Sequence, residues 1–212
     1  SGGGSSARSR IPRLRVLFIN RTQLNWRGRK RVLEMMPPTI SNLPELLEAC
    51  RTSWPAGDVE CASHEFGRHG LRADIAAARE TDVLIGPHGS GMINGLFMRR
   101  NSSIIEVRPY GFEGIWPDMY YAQVYDVERA VFFFQVSTGS RELSFPRPHV
   151  NVLPFDAHRR NTFLPWSVLC DALQTVVWTN RSKSRYGKLP THTFISYLRA
   201  RGHEVGPCLR FG

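Results

Sequence analysis

The chain has 212 residues, of which 42% are hydrophobic and 11% aromatic, enough to form the core of one large domain or two small ones. No apolar run approaches the roughly 20 residues that a membrane-spanning helix needs. The net charge of +10 and the pI of about 10.1 predict a surface that attracts polyanions, which include nucleic acid, phosphorylated small molecules and acidic glycans.

The cysteines and the opening residues give information about the context of the chain. The four cysteines contain no C-x-x-C spacing, which disfavours a zinc or redox site and leaves disulfides or buried thiols open; they are Cys50, Cys61, Cys170 and Cys208. Three N-x-S/T sequons, at Asn20, Asn101 and Asn180, are compatible with a secretory route. The opening "SGGGSSARSR" predicts a flexible linker over residues 1–12, as expected if the sequence begins inside a longer chain.

The first half of the chain alternates short apolar segments with segments of helical spacing. Strands are predicted, in chain order, at 15–20, 58–64, 82–86 and 103–107. Helices are predicted between them, within 41–53, over 71–80 and over 91–100. In the second of these helices, Leu71, Ile75 and Ala78 fall on one side. Such alternation predicts an α/β fold with a mostly parallel sheet, right-handed crossovers and flanking helices.

The second half is less regular. A strong strand is predicted at 130–136, an extended, proline-broken connection at 144–155, and a closing helix at 164–180. We therefore assign one domain to residues 13–180. Residues 181–212 are basic and weakly patterned, so they are predicted to form a tail that can pack back on the domain, with a helix at about 192–202.

The turn "GPHGSG", at 86–91, joins a predicted strand to a predicted helix. Glycine-rich turns at this position can bind phosphate, because side chains are absent and backbone N–H groups point outward at the positive end of a helix. In open α/β sheets, ligands bind at the carboxyl ends of the strands, where this turn lies. The alternative is a tight turn whose glycines serve packing alone.

Other motifs fit this turn less well. A nucleophile elbow would need glycines two residues either side of Ser90, but His88 and Met92 stand there. A P-loop lysine is absent, and the dinucleotide fingerprint fails because Asn94 occupies the position of its third glycine. The imidazole of His88 can donate a hydrogen bond to a phosphate or sugar hydroxyl, or it can simply cap the turn.

These residues resemble glycosyltransferase family 61. The stretch "TDVLIGPHGSGMINGLFMRRNSSIIEVRP" is similar to the family signature, in which a strand, an HGAG-like turn, an asparagine, a Leu-Phe pair and a strand ending in Ile-Glu-x-x-Pro follow in that order. The segments "VLFINR", "RGRKR" and "SNLPELLEA" support the resemblance upstream. It implies a Rossmann-like domain that corresponds to the C-terminal, donor-binding half of a GT-B glycosyltransferase.

The resemblance also implies an activity and partners. The expected reaction is an inverting transfer from a UDP-sugar to a hydroxyl of a protein or polysaccharide acceptor, without a metal or other cofactor. Nucleic acid is not an expected partner, and membrane attachment is expected only through an N-terminal anchor outside this sequence. The expected location of such an enzyme is the lumen of the Golgi or endoplasmic reticulum. The alternative is a non-catalytic module that binds a nucleotide-sugar or, through its basic segments, nucleic acid.

The site residues follow from the matched positions. Arg21 corresponds to the strand-end arginine that would stabilise the leaving UDP. The residues implied to bind the nucleotide-sugar are His88, Gly89, Ser90, Gly91, Asn94, Glu106, Arg29 and Arg31. The segment between Arg21 and Asn42 is longer than the usual family pattern, so the choice between Arg29 and Arg31 as the second arginine stays open. Glu106 suits ribose hydroxyls, with pairing to Arg108 as the alternative. The catalytic base is expected in the N-terminal half and is not assigned.

Overall fold

The computed structural model describes residues 14–21, 38–54, 58–112, 131–148, 151 and 153–196. The predicted linker at 1–12 lies outside these residues, as do Arg29, Arg31 and the part of the predicted tail beyond residue 196. Among the helices described, none has both the length and the apolar character that a membrane crossing requires.

The described strands form one large and one small sheet. In chain order they are β1 (Leu14–Ile19), β2 (Val59–His64), β3 (Val83–Pro87), β4 (Ser103–Arg108), β5 (Phe132–Thr138), β6 (Ser144–Phe145), β7 (Asn161–Thr162) and β8 (Thr193–Ser196). Strands β6 and β7 form an antiparallel pair. The other six form a parallel sheet in the order β2-β1-β3-β4-β5-β8. The predicted α/β, Rossmann-like class is confirmed, and the predicted strands of the first half lie within one residue of those observed.

The described α-helices are α1 (Leu43–Thr52), α2 (Leu71–Glu80), α3 (Pro154–Ala157), α4 (Trp166–Thr179) and α5 (Lys183–Tyr186). The segment predicted as a helix at 91–100 is instead a 3-10 helix, Ser90–Phe97. Two glycines in this short segment disfavour an α-helix, and the Asn94 amide donates to the carbonyl oxygen of Gly91 at 2.9 Å. A second 3-10 turn covers Arg141–Leu143.

The sheet is covered on both faces, as its nearly continuous apolar strands require. One face packs under α1 and α4 in a cluster that includes Phe18, Leu46, Ile105 and Leu169. The other face packs under α2 and the 3-10 helix, with Ala78, Leu84 and Met92 among its buried residues.

The α2 helix differs from its predicted packing. Leu71, expected on the inner side, is 67% exposed, whereas Asp74 is only 5% exposed. The inner side of the first turn therefore carries a carboxylate.

Residues after 180 extend the fold. The ring of Tyr186 on α5 stacks on Phe132 with 4.6 Å between ring centroids, and its hydroxyl bonds the backbone N–H and carbonyl of Phe133. Strand β8 pairs with β5, so the sheet continues beyond the predicted domain boundary at residue 180. The predicted helix at 192–202 is wrong over 193–196, because Thr193, Phe194 and Ile195 suit a strand and the edge of β5 provides a partner.

A disulfide joins Cys50 on α1 to Cys61 on β2, and Cys170 on α4 is also disulfide-bonded. The Cys50–Cys61 bridge links residues 11 apart, so it restricts a short loop of the unfolded chain. Of the two alternatives that the sequence left open, the structure shows disulfides rather than thiols in the part of the chain that it describes.

Candidate functional site

The strand order creates a crevice at the carboxyl ends of the strands of the sheet. Strand β1 lies between β2 and β3, and the chain passes from β1 to β2 on one side and then returns past β1 to β3 on the other. Loops therefore leave the carboxyl ends of β1 and β3 in opposite directions, which is the arrangement that opens a binding crevice in such sheets. Arg21 follows β1, and the turn from His88 to Gly91 follows β3.

Arg21 lies directly on this turn. Its Nη1 atom donates to the carbonyl oxygens of His88, at 3.2 Å, and Pro38, at 3.4 Å. A Cβ atom built on Gly91 would lie 3.0 Å from Nη2 of Arg21, and one built on Gly89 would lie 3.2 Å from the same atom. The glycines thus make room for the guanidinium, whereas the sequence suggested that they leave space for a phosphate alone.

Backbone amides of the turn contribute a second group of donors. The N–H of His88 donates to the carbonyl of Val107 at 3.0 Å, so it is not available to a ligand. Within the described residues, no hydrogen bond of the fold uses the N–H groups of Ser90 and Gly91, which open the 3-10 helix. Gly89 has a φ of 125°, which L side chains rarely adopt. Two donors and the Arg21 guanidinium therefore lie at the same turn.

The His88 side chain contacts a buried ion pair. Its Nδ1 lies 2.5 Å from Oε1 of Glu106. The Oε2 of Glu106 accepts a hydrogen bond from Nε of Arg108 at 2.7 Å and lies 2.6 Å from Nη2 in an ion pair. Both side chains of the ion pair have 0% exposure. The structure thus shows the pairing with Arg108 that the sequence left as an alternative. A role of Glu106 in binding ribose stays a prediction.

Aromatic rings surround the imidazole of His88. The ring of Phe112 is 4.8 Å from it between centroids, and that of His158 is 6.0 Å away. The Cζ atom of Arg108 lies 5.3 Å from the centroid of Phe112. The sequence analysis did not assign Phe112 or His158 to the site. Phe112 lies in the loop after β4 and His158 between α3 and β7, and both reach the site only through the folding of the chain.

Two buried polar residues of β5 continue this polar surface. Gln135 is paired in register with Glu106, and Ser137 with Arg108. Both are almost fully buried, and their side-chain polar atoms have no hydrogen-bond partner among the residues that the structure describes. Their signal in the sequence was the alternation of polar residues in two otherwise apolar strands, "SIIEVR" and "FFFQVS", which places all four on one face.

The other predicted residues fall in different positions. Asn94 holds the carbonyl of Gly91, so its amide stabilises the turn, and Ser90 is exposed at the start of the 3-10 helix. Arg29 and Arg31 lie outside the described residues, so their role stays a prediction.

A cavity of about 650 Å³ adjoins Arg21. It lies between the ends of β1 and β2 and one side of α1. Among the described residues, the lining contains two arginines and no acidic side chain: Asn20, Arg21, Thr39, Ile40, Ser41, Leu43, Pro44, Leu47, Arg51 and Ser63. The cavity has the size of small-ligand sites and an environment that favours an anion.

A second carboxylate–histidine pair lies at the end of β2. Asp74 receives a hydrogen bond from the N–H of Gly67 and contacts Nε2 of His64, both at 2.8 Å. Burial acts to raise the pKa of Asp74, but the bonds from His64 and Gly67 and the charge of neighbouring histidines outweigh it, and the pKa is lowered from its usual value. Asp74 thereby fixes the loop between β2 and α2.

Among the described residues, no three or more His, Cys, Asp or Glu side chains lie together in a group that could hold a metal ion. The expectation of a metal-independent site stays a prediction.

A comparison with protein families supports the resemblance seen in the sequence. A family model described as glycosyltransferase 61 matches residues 5–105, which include Arg21 and the whole turn from His88 to Gly91. The predicted resemblance to glycosyltransferase family 61 is confirmed over this part of the chain.

A similar sequence occurs in a plant protein. This chain is 29% identical over 168 residues to a beta-1,2-xylosyltransferase of Oryza sativa subsp. japonica. The alignment covers 77% of this chain but 31% of the plant protein. The chain thus spans about a third of the length of the curated relative that it matches.

Proposed function

We propose that this chain is the donor-binding part of a glycosyltransferase that transfers a sugar from a UDP-sugar to an acceptor hydroxyl. The observation that carries the proposal is the position of Arg21, whose guanidinium covers Gly89 and Gly91 beside the crevice between β1 and β3. The guanidinium of Arg21 and the two backbone N–H donors of the turn, at the carboxyl ends of the strands, suit a diphosphate. The match of residues 5–105 to the family 61 model supports the reaction class.

Arg21 is proposed to act on the leaving group. When the glycosidic bond to UDP breaks, its electron pair passes to the β-phosphate oxygen, and negative charge grows on the diphosphate. A fixed guanidinium stabilises that charge more than it stabilises the ground state, which lowers the barrier. Each charge-assisted hydrogen bond of this kind contributes about 1.5–3 kcal/mol.

The rest of the reaction is proposed as a single displacement in a GT-B enzyme. The acceptor oxygen attacks the anomeric carbon as UDP leaves from the opposite face, so the configuration inverts. A base accepts the hydroxyl proton. We place that base in a part of the protein that precedes this chain, since no residue of the described turn is assigned to it.

The donor and acceptor classes are also proposals. The matched relative is a xylosyltransferase, so UDP-xylose is the first donor to test. The cavity beside Arg21 adjoins the diphosphate position and has room for the remainder of a nucleotide-sugar. A protein or polysaccharide acceptor would then approach from outside this crevice.

The proposal is tested by the binding of UDP to the full-length protein. A saturating ligand at about 100 times its Kd raises the free energy of unfolding by roughly 2.7 kcal/mol, which thermal unfolding detects. We expect Arg21→Ala to weaken UDP binding by about 10- to 100-fold, the equivalent of one charge-assisted bond. Arg72→Ala, which removes an exposed guanidinium from α2, is the matched control and should leave binding unchanged.

Two further arms of this experiment separate the alternatives. Binding that survives EDTA supports a metal-independent site, and binding that needs a divalent cation contradicts it. A basic module for nucleic acid would instead bind RNA with an affinity that falls steeply with salt, and would show no saturable protection by UDP. Unchanged UDP affinity in Arg21→Ala would refute the role of Arg21.

A further inference from the structure

The buried pair of Glu106 and Arg108 calls for an explanation other than stability. Both side chains are fully buried on β4. Removing two charges from water costs several kcal/mol per ion, and apolar residues of similar volume often stabilise a protein as well or better. A buried charge with a specific partner beside a candidate site is therefore a candidate for a functional role.

The geometry of the pair directs one carboxylate oxygen to His88. Arg108 donates a hydrogen bond from Nε to Oε2 of Glu106 at 2.7 Å, and its Nη2 lies 2.6 Å from the same oxygen, so this oxygen is held against the guanidinium. The other oxygen, Oε1, then faces Nδ1 of His88 at 2.5 Å. Strand β4 lies beside β3, and the turn with His88 follows β3 directly, so the sheet itself sets this distance.

This contact determines which nitrogen of His88 can meet a ligand. An ionised carboxylate only accepts hydrogen bonds, so Nδ1 must be the donor. The two ring nitrogens point in widely different directions, so Nε2 points away from Glu106. The rings of Phe112 and His158 restrict the remaining rotation of the imidazole.

We propose that Glu106 and Arg108 are positioning residues, which hold His88 with Nδ1 inward so that Nε2 contacts the diphosphate of the donor. This inference rests on the proposed function, because it assumes that a UDP-sugar binds at the turn. It gives Glu106 a role through His88 in place of direct contact with ribose. It also assigns a role to Arg108, which the sequence did not.

A double-mutant cycle on the full-length protein tests the proposal, with the affinity for UDP as the readout. We expect Glu106→Gln to weaken UDP binding by about tenfold in the wild-type background, but by less than about twofold when His88 is already Gln. Such coupling arises only if Glu106 acts through His88. Equal losses in the two backgrounds, or no loss in the wild type, would overturn the proposal.

Glu106→Gln leaves the guanidinium of Arg108 buried without its carboxylate, which can unfold the protein. The pair Glu106→Gln/Arg108→Met removes both charges and is measured in the same two backgrounds, with the same expectation. Asp82→Asn is the matched control. Asp82 is a buried carboxylate paired with Arg99 and Arg181. It lies at the amino end of β3, at the end of the sheet opposite the turn, so its loss should lower the Tm without changing UDP affinity.

The outcomes distinguish this proposal from the proposed function. If wild-type protein fails to bind UDP, the function and the positioning role both fail. If UDP binds and depends on Arg21, but Glu106 and His88 contribute independently, the function stands and only the positioning role is refuted.

Discussion

Arg21 shows how a single side chain gives a glycine-rich turn its chemistry. The turn by itself offers two amide donors, a weak site for a diphosphate. The guanidinium adds a full positive charge, and it can approach because positions 89 and 91 have no side chain. Glycine is needed at the two positions for different reasons. Gly89 adopts a positive φ, whereas Gly91 leaves the space that the guanidinium of Arg21 occupies.

This difference makes Gly91→Val an informative change. The Cβ of valine would lie 3.0 Å from Nη2 of Arg21, which already shifts the guanidinium by a few tenths of an ångström, and the two methyl groups of valine displace it further, while the backbone at 91 can accommodate valine. We expect UDP affinity to fall by about tenfold, close to the effect of removing one charge-assisted bond, with a small change in Tm. The measurement is UDP titration calorimetry.

Gly187→Val is the control for this prediction. A Cβ at Gly187 meets the Lys183 carbonyl at an ordinary 3.5 Å, and the residue ends α5. UDP affinity should be unchanged there. Normal affinity in Gly91→Val would mean that the turn binds without help from Arg21.

Among the elements, α2 carries a polar residue on the side where the pattern placed an apolar one. Leu71 is exposed, and the buried position of the first turn belongs to Asp74. The reason is local: the loop from Glu65 to Gly70 needs an acceptor for the N–H of Gly67, and His64 at the end of β2 needs a partner. A carboxylate satisfies both, and the helix places it there.

Asp74 predicts a pH dependence of stability. Its pKa in the folded protein is lowered, so its contribution is present above the unfolded pKa of about 3.9 and is lost as the pH falls through the folded value. Asp74→Asn should therefore lower the free energy of unfolding by about 1–2 kcal/mol at pH 7. The difference between wild type and variant should shrink as the pH falls below about 4.

Thermal unfolding between pH 7 and pH 3 checks this prediction. Glu80→Gln, which changes a carboxylate whose side chain is 73% exposed, serves as the control and should show little effect at any pH. A difference between wild type and Asp74→Asn that stays constant over this range would contradict the assigned cause.

The whole molecule is a parallel sheet whose edge strand comes from a segment that looked like a tail. The ring of Tyr186 and the strand β8 attach residues 183–196 to β5. Disulfides at Cys50, Cys61 and Cys170 add covalent links. Disulfides form in oxidising compartments, so they support our proposal that the protein is located in the lumen of the secretory pathway, as Golgi and endoplasmic reticulum enzymes are.

The proposed location predicts N-glycosylation. Asn101 and Asn180 are exposed and belong to sequons, whereas Asn20 is half-buried beside Arg21. We expect the full-length protein from eukaryotic cells to lose mass on endoglycosidase treatment, and expect the double variant Asn101→Gln/Asn180→Gln to show a smaller shift or none. A protein without glycans that fractionates with the cytosol would refute the location.

The sequence by itself determined the alternation of strands and helices, the parallel sheet, and the turn that follows β3, because periodicity and glycine placement are local properties. It also pointed to Arg21 through a family signature. Only the tertiary structure decided that Arg21 covers the turn glycines, that Glu106 pairs with Arg108 and His88, and that residues 193–196 form a strand. Those outcomes depend on which strands become neighbours in the folded sheet. Residues far apart in the sequence are then brought together, and several of them can pair with the same polar group or the same strand.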